Sequence, residues 1–302
     1  MRPARLIAVA VLALQAGCGN LQPYLGDLTG TYPTGTATAT GTSAGASTAA
    51  PIQLGAVAQK PTGTVTPMLI FLSGYTSCGT NSSNQFDPTL SPIAPLLTSA
   101  RQQLQQAGFT NVPWVLGCFG SDPSKIVYLT SAAGGAATTD TVANMIAAAG
   151  QLAGSVSNAE LFVVGHSYGG WSAMDTVLQL GSTDYVAGLI TLDPISTANC
   201  TPSGFVNNFI SNIANGGTDP GCTQAPTDFG ANGLAQIAAA SHGFWQNAYE
   251  TDCSVLHSGP IPNASSNTQR SYPGTQGFDA HNDVLTDPVT STTIQQALQT
   301  LY

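Results

Sequence analysis

The chain has 302 residues, enough for one large α/β domain or two small ones, and 42% of them are apolar, which suffices for a sizeable core. Only 7% are charged, with 15 acidic against 6 basic side chains and a net charge of −9. Because phosphate binding needs clustered Lys and Arg, this composition argues against a nucleic-acid partner.

The N-terminal residues have the composition of an export signal. Arg2 and Arg5 precede the apolar run LIAVAVLALQAG, which is too short to span a bilayer comfortably and suits the hydrophobic region of a signal peptide. We therefore predict a signal peptide over residues 1–17. The letters QAGC that end it resemble the lipobox of bacterial lipoproteins, in which the cysteine, here Cys18, is acylated. That box prefers an aliphatic residue where the glutamine stands, so membrane attachment through Cys18 and simple secretion both remain open.

A low-complexity stretch follows this leader. Residues 30–66 consist almost entirely of Thr, Ala, Gly, Ser and Pro, with Lys60 as their only charge. Such a composition buries too little apolar surface to offset its conformational entropy. We predict a flexible stalk over residues 18–66 and one catalytic domain over residues 67–302. An irregular pair of strands within residues 52–66 is the alternative for the second half of the stalk.

The cysteines indicate disulfides. None of the six has a spacing typical of zinc ligands, and no motif for an organic cofactor is present, so we expect neither a metal nor a cofactor. Cys78 and Cys118 each follow an apolar, strand-like run, so their sulfurs could meet if those strands are neighbours. Which of Cys200, Cys222 and Cys253 pair stays open.

From residue 67 onward, strand-like and helix-like segments alternate. The strand-like runs are nearly continuous in apolar residues, as buried parallel strands require; they cover residues 68–73, 112–119, 160–165 and 186–192. Amphipathic helical stretches lie between them, over residues 91–108, 139–154 and 169–181. This alternation predicts an α/β fold with a mostly parallel central sheet and helices on both faces.

A serine boxed by glycines joins the third of these strands to the helix after it. The segment LFVVGHSYGGWSAM, residues 161–174, contains Gly165, Ser167 and Gly169 at the spacing Gly-x-Ser-x-Gly. This segment resembles the nucleophile elbow of the α/β-hydrolase family, in which glycines let strand and helix approach closely around a strained serine. The resemblance implies an α/β-hydrolase fold with Ser167 as the nucleophile. A tight turn that merely permits packing is the plainer interpretation.

A serine nucleophile needs a general base. In the family the base lies between the final strand and the final helix, which favours His281, in a polar segment before the last helical run. His166 is expected to be a packed or hydrogen-bonded neighbour of the elbow. His242 and His257 could each line a cleft instead.

Two aspartates compete to be the acid that orients the base. Asp193 ends the strand after the elbow helix, as in pancreatic-type lipases, and is preferred. Asp252 would follow the next strand, which is the commoner place in the superfamily, and it remains the alternative.

The same resemblance places the two N–H donors of an oxyanion hole. One is the backbone of Tyr168, directly after the nucleophile. The other is the backbone of Tyr75, in the loop FLSGYTSCG that follows the first buried strand. Ser73 stands where the family usually has His, so this match is looser.

The resemblance implies a serine hydrolase, of lipase or esterase type, that cleaves small-molecule, lipid or polymer esters through an acyl-enzyme intermediate, and the N-terminal leader indicates that it is exported. Another acyl bond, in a polyester such as cutin, a thioester or a peptide, would suit the same machinery. A non-catalytic surface protein built on a hydrolase scaffold is the alternative from a different class.

Overall fold

The computed structural model describes residues 57–200, 222–253, 256–273, 275 and 278–300. The predicted signal peptide, Cys18 and most of the predicted stalk lie outside these residues. The strands are β1 (Thr66–Leu72), β2 (Gly79–Thr80), β3 (Phe86–Asp87), β4 (Trp114–Phe119), β5 (Ile126–Thr130), β6 (Thr138–Asp140), β7 (Ala159–His166), β8 (Tyr185–Leu192), β9 (Trp245–Glu250) and β10 (Ser266–Arg270). The helices are α1 (Ala94–Gln106), α2 (Val142–Gly154), α3 (Tyr168–Leu180), α4 (Gly230–Ala240), α5 (Phe278–Thr286) and α6 (Pro288–Gln299).

Eight of the strands form one twisted layer in the order β10-β9-β8-β7-β1-β4-β5-β6. All neighbours from β10 to β4 are parallel, and β5 and β6 add an antiparallel edge. The predicted α/β fold, with its mostly parallel central sheet, is confirmed. Because β7, β8 and β9 are parallel neighbours, their carboxyl ends lie side by side at one edge of the sheet.

Helices cover both faces of the sheet, as predicted. Side chains alternate along β1, so Met68 and Ile70 belong to the core on the face covered by α2, α3 and α4, while Leu69 and Phe71 belong to the core on the face covered by α1, α5 and α6. All four of these β1 side chains are fully buried. No helix in the described ranges is both long and apolar enough to cross a bilayer.

Residues 57–65 lie along the amino-terminal edge of the sheet. The N–H of Ala58 donates to the carbonyl of Gly181 at 3.1 Å. Lys60 Nζ lies 3.5 Å from Oε1 of Glu160, a side chain that is completely buried at the start of β7. Burial raises the pKa of this carboxyl, and Lys60 opposes that rise. The last part of the predicted stalk therefore contacts the folded domain, and the boundary at residue 66 stays a prediction.

Two disulfides connect loops at the carboxyl edge. Cys78 bonds to Cys118 at the end of β4, as expected if β1 and β4 are neighbours, which they are. Cys200 bonds to Cys222, which resolves the pairing that the sequence left open.

Replacement of Cys78 and Cys118 tests how much their disulfide contributes to the free energy of unfolding. Replacing both with Ser should lower the free energy of unfolding by about 4 kcal/mol, because the bridge closes the longer loop, with a separation of 40 residues. The matched double variant at Cys200 and Cys222, with a separation of 22, should lose about 3 kcal/mol. Urea unfolding measures both losses, and wild-type stability in either variant would contradict the bridge.

Truncation tests the contacts of residues 57–65. A chain that begins at Val57 should unfold like the full mature protein, whereas one that begins at Thr66 should lose about 1–3 kcal/mol, since Glu160 then stays buried without its cation. Glu160→Gln in the chain that begins at Val57 removes the ion pair with Lys60 but keeps the other contacts of residues 57–65, so its stability shows how much the ion pair contributes. If the chain that begins at Thr66 is as stable as the longer one, these contacts contribute nothing and the boundary at residue 66 stands.

Candidate active site

Ser167 lies in a turn too tight for any residue but glycine at two flanking positions. A Cβ on Gly165 would lie 2.1 Å from the carbonyl oxygen of Gly169, and one on Gly169 would lie 2.2 Å from that of Leu72. Ser167 itself has a φ of 58°, a backbone conformation that costs free energy for a residue with a side chain. The strand, the turn and α3 thus have the geometry of a nucleophile elbow.

The loop after β1 crosses directly over this serine. A Cβ on Gly74 would lie 2.4 Å from the Cβ and 2.7 Å from the Oγ of Ser167. The ring of the next residue, Tyr75, packs against that of Tyr168 with 5.6 Å between centroids, and its hydroxyl donates to the carbonyl of Ser121. The structure therefore brings both predicted oxyanion-hole residues together beside Ser167.

Tyr168 is the first residue of α3. Its backbone N–H belongs to the first helical turn, which has no acceptor within the helix and carries the positive end of the helix dipole. Its hydroxyl donates to the carbonyl of Cys200, and its ring meets that of Phe119 edge to face at 5.9 Å. Burial raises the pKa of this phenol, so it stays protonated. These contacts fix the position of Tyr168, the residue directly after Ser167.

Asp193 and His281 form a buried pair at the same edge of the sheet. Asp193 follows β8 with a φ of 44°, and His281 comes from α5 rather than from the polar loop expected from its sequence. Nδ1–H of His281 donates to Oδ2 of Asp193 at 2.5 Å, and the two residues are 4% and 0% exposed. Nε2 of His281 has no hydrogen-bond partner among the described residues. The imidazole is thus oriented by Asp193, with its second nitrogen uncommitted.

Backbone donors hold the carboxylate in place. Oδ1 of Asp193 accepts from the N–H of Glu250 at 3.2 Å and from that of Ser258 at 2.8 Å. Burial raises the pKa of Asp193 to about 7, although these two donors lower it. Burial also lowers the pKa of His281 to about 3, with His257 adding to the effect. The imidazole is therefore neutral near pH 7, the form a general base needs.

His166, the residue before Ser167, contacts His281. Its Nε2–H donates to the backbone carbonyl of His281 at 3.0 Å, and the two rings lie 4.6 Å apart. Burial holds the pKa of His166 well below its usual value, so the ring stays neutral. It is the hydrogen-bonded neighbour that the sequence led us to expect.

The competing candidates lie elsewhere or make other contacts. The carboxylate of Asp252 accepts from the N–H of Tyr272 at 2.5 Å and is therefore bonded to the loop after β10. His242 packs against the ring of Tyr185, which begins β8 at the opposite edge of the sheet. His257 donates from Nδ1 to the carbonyl of Ser258.

Glu250 is the member of the site that sequence reasoning missed. It is the last residue of β9 and fully buried, and one of its carboxyl oxygens lies within 4.8 Å of both Asp193 and His281. These three side chains have the donor types of a metal site, but both oxygens of Asp193, Oε2 of Glu250 and Nδ1 of His281 are already bonded to one another or to backbone N–H groups. Oε1 of Glu250 and Nε2 of His281 have no hydrogen-bond partner among the described residues, and this arrangement suits an acid–base set. The sequence feature that could have identified Glu250 is its position at the end of the strand that follows Asp193, two residues before Asp252.

Comparisons with known proteins add little to this geometry. No protein-family model and no curated protein matches the chain. Among solved structures it is similar to carboxyl esterase 2 of Tuber melanosporum (11% identity, 80% of this chain and 78% of that one, TM-score 0.36). It is also similar to a soluble variant of monoglyceride lipase of Saccharomyces cerevisiae (12%, 81% and 90%, 0.37) and to Est1E of Butyrivibrio proteoclasticus (15%, 77% and 90%, 0.34). At such identities and TM-scores these similarities carry no argument about activity.

Proposed function

We propose that the protein is an exported serine hydrolase that cleaves carboxylic esters through Ser167, His281 and Asp193. The observation that carries this proposal is the buried hydrogen bond between His281 and Asp193, beside a serine held in a strained elbow. A serine after β7, a carboxylate after β8 and an imidazole from α5 are the set that makes a hydroxyl nucleophilic.

The nucleophilic step follows from the protonation states of this set. Asp193 keeps the hydrogen of His281 on Nδ1, so the lone pair of Nε2 is the one that accepts the proton of the Ser167 hydroxyl. The oxygen attacks the ester carbonyl, and the imidazolium that forms is stabilised by the Asp193 charge. It then protonates the leaving alcohol, and a water molecule activated by the same nitrogen releases the acid from the acyl-enzyme.

The negative charge that develops on the carbonyl oxygen needs preorganised donors. The N–H of Tyr168 at the start of α3 is the first, and the N–H of Tyr75 is the second. Gly74 supports this assignment because its contact with Ser167 places the loop within reach of the reacting atoms. The packed tyrosine rings fix the two backbones relative to each other.

Export is the least direct part of the proposal. Its support is the predicted signal peptide and the two disulfides, which persist in oxidising compartments. Acylation at Cys18 would anchor the protein to the cell envelope; otherwise it would be secreted.

Ser167→Ala tests the nucleophile. It should lower hydrolysis of p-nitrophenyl esters by about 10⁴-fold or more while leaving unfolding nearly unchanged, because Ala meets the same backbone demand at this φ. A fluorophosphonate probe should label the wild type and the exposed-serine control Ser182→Ala, and not Ser167→Ala. If the folded wild type is not labelled, the result favours the non-catalytic scaffold. A panel of esters, thioesters and peptides then identifies which acyl bond the protein cleaves.

Paired substitutions test the acid. Asp193→Asn should lower kcat by about 10³- to 10⁴-fold, since the imidazole loses the charge that orients it. The matched change Asp252→Asn should have little effect on kcat, because Asp252 bonds to Tyr272 instead. The reverse result in steady-state kinetics would transfer the acid to Asp252.

A further inference from the structure

A second buried carboxyl lies beside the proposed acid, and the mechanism above does not use it. Glu250 ends β9 as Asp193 ends β8, so the two residues come from neighbouring parallel strands. Both are completely shielded from solvent. Two full negative charges so close together in a buried site would repel strongly, so one carboxyl has to hold a proton near neutral pH.

We propose that Glu250 is a positioning residue that holds this proton, so that the pair with Asp193 carries one negative charge in the resting enzyme, and that its ionisation at alkaline pH strengthens His281 as a base. The inference rests on the proposed function, because it assigns Asp193 and His281 their catalytic roles. In the ionisation step the Glu250 carboxyl loses its proton to hydroxide, which gives a carboxylate and water. No other bond changes.

Hydrogen bonds decide which carboxyl holds the proton. Both oxygens of Asp193 accept: Oδ1 from two backbone N–H groups and Oδ2 from His281. Only Oε2 of Glu250 accepts, from the N–H of Asp252 at 2.5 Å and that of Cys253 at 2.9 Å. Oε1 is buried and has no hydrogen-bond partner in the described part of the chain. An ionised Glu250 would leave this buried oxygen without any donor, whereas both oxygens of Asp193 have donors, so the proton belongs on Glu250 rather than on Asp193.

The surrounding charges favour the same assignment. Burial and then the charge of Asp193 raise the pKa of Glu250 to about 8, although the two N–H donors oppose the rise. Arg270, the partner of Glu250 in the register of β10, gives its guanidinium to Asp287 at 2.7 Å and so does not neutralise Glu250. The titratable and charged groups around Glu250 are Asp193, Asp252, Cys253, His257, Arg270, His281 and Asp287.

Ionisation of Glu250 would reach His281 through space. A carboxyl oxygen of Glu250 lies within 4.8 Å of a ring nitrogen of His281. A new negative charge there stabilises the imidazolium that forms when Ser167 loses its proton. The base becomes stronger, and the barrier to attack falls.

The pH profile of kcat/KM gives the first test. Wild-type kcat/KM should rise severalfold across a step centred near the pKa of Glu250, about 8, and Glu250→Gln should lack this step. Gln keeps the shape of the side chain and can still accept from the N–H groups of Asp252 and Cys253. If Glu250 had a purely structural role, the Glu250→Gln variant would therefore show the same pH step as the wild type. The matched control is Glu160→Gln, which removes the other buried glutamate, at the opposite edge of the sheet, and should retain the step.

The pH dependence of stability gives a second test that needs no activity. Glu250 ionises at a pKa near 4.5 when unfolded and near 8 when folded, so the native state binds the extra proton between these values. The free energy of unfolding of the wild type, relative to Glu250→Gln, should therefore fall as pH rises from about 4.5 to about 8. Urea unfolding of both proteins over this range measures the difference.

The two tests separate the failure of this inference from the failure of the proposed function. A stability difference that stays constant or rises with pH would overturn the protonated Glu250. A falling difference combined with an identical alkaline step in Glu250→Gln would overturn its influence on His281. Hydrolysis that persists in Ser167→Ala would instead remove the proposed function, and the stability measurement would still decide where the proton resides.

Discussion

The close approach of three backbones around Ser167 is the constraint on which the rest of the site depends. The end of β1, the end of β7 and the start of α3 meet where Gly165 and Gly169 carry no Cβ, and any larger residue would force strand and helix apart. The same approach brings Gly74 against the serine and exposes the first N–H groups of α3 beside it. One steric condition thus produces both the strained conformation of Ser167 and the close approach of the two backbones proposed to form the oxyanion hole.

Local patterns were enough to predict much of this architecture, and long-range geometry accounts for what they missed. Apolar runs and the Gly-x-Ser-x-Gly spacing located four central strands and the elbow, because buried parallel strands leave a strong signal in the sequence. The strand before Asp252 was expected but not delimited, because polar and apolar side chains mix along β9, and Glu250 at its end was missed. Asp193 and Asp252 could not be separated by spacing, which does not say where a side chain points after a strand ends. The segment around His281, predicted to be a loop, is the helix α5. Its polar composition gives little helical signal in the sequence, and packing of Val284 and Leu285 against the core stabilises it.

Ionisable groups are scarce in this protein, and several of them are concentrated in its interior. Only 7% of residues are charged, yet Asp193, Glu250 and His281 are all buried within a few ångströms of each other. Away from water, hydrogen-bond donors and neighbouring charges act with little screening, so a few backbone N–H groups determine which member holds a proton. The polar surface of Asn, Gln, Ser and Thr contributes few competing charges.

The course of the chain through the sheet determines which way the site faces. Residues 57–65 meet the domain at the amino ends of β7 and β8, where Lys60 reaches Glu160, whereas Ser167 lies beyond the carboxyl end of β7. Eight residues of strand at about 3.3 Å each separate these edges by about 25 Å. A particle or surface coupled to the chain just before Val57 would therefore approach the domain from the side opposite Ser167, leaving the edge of the sheet that carries Ser167 turned toward the surrounding medium.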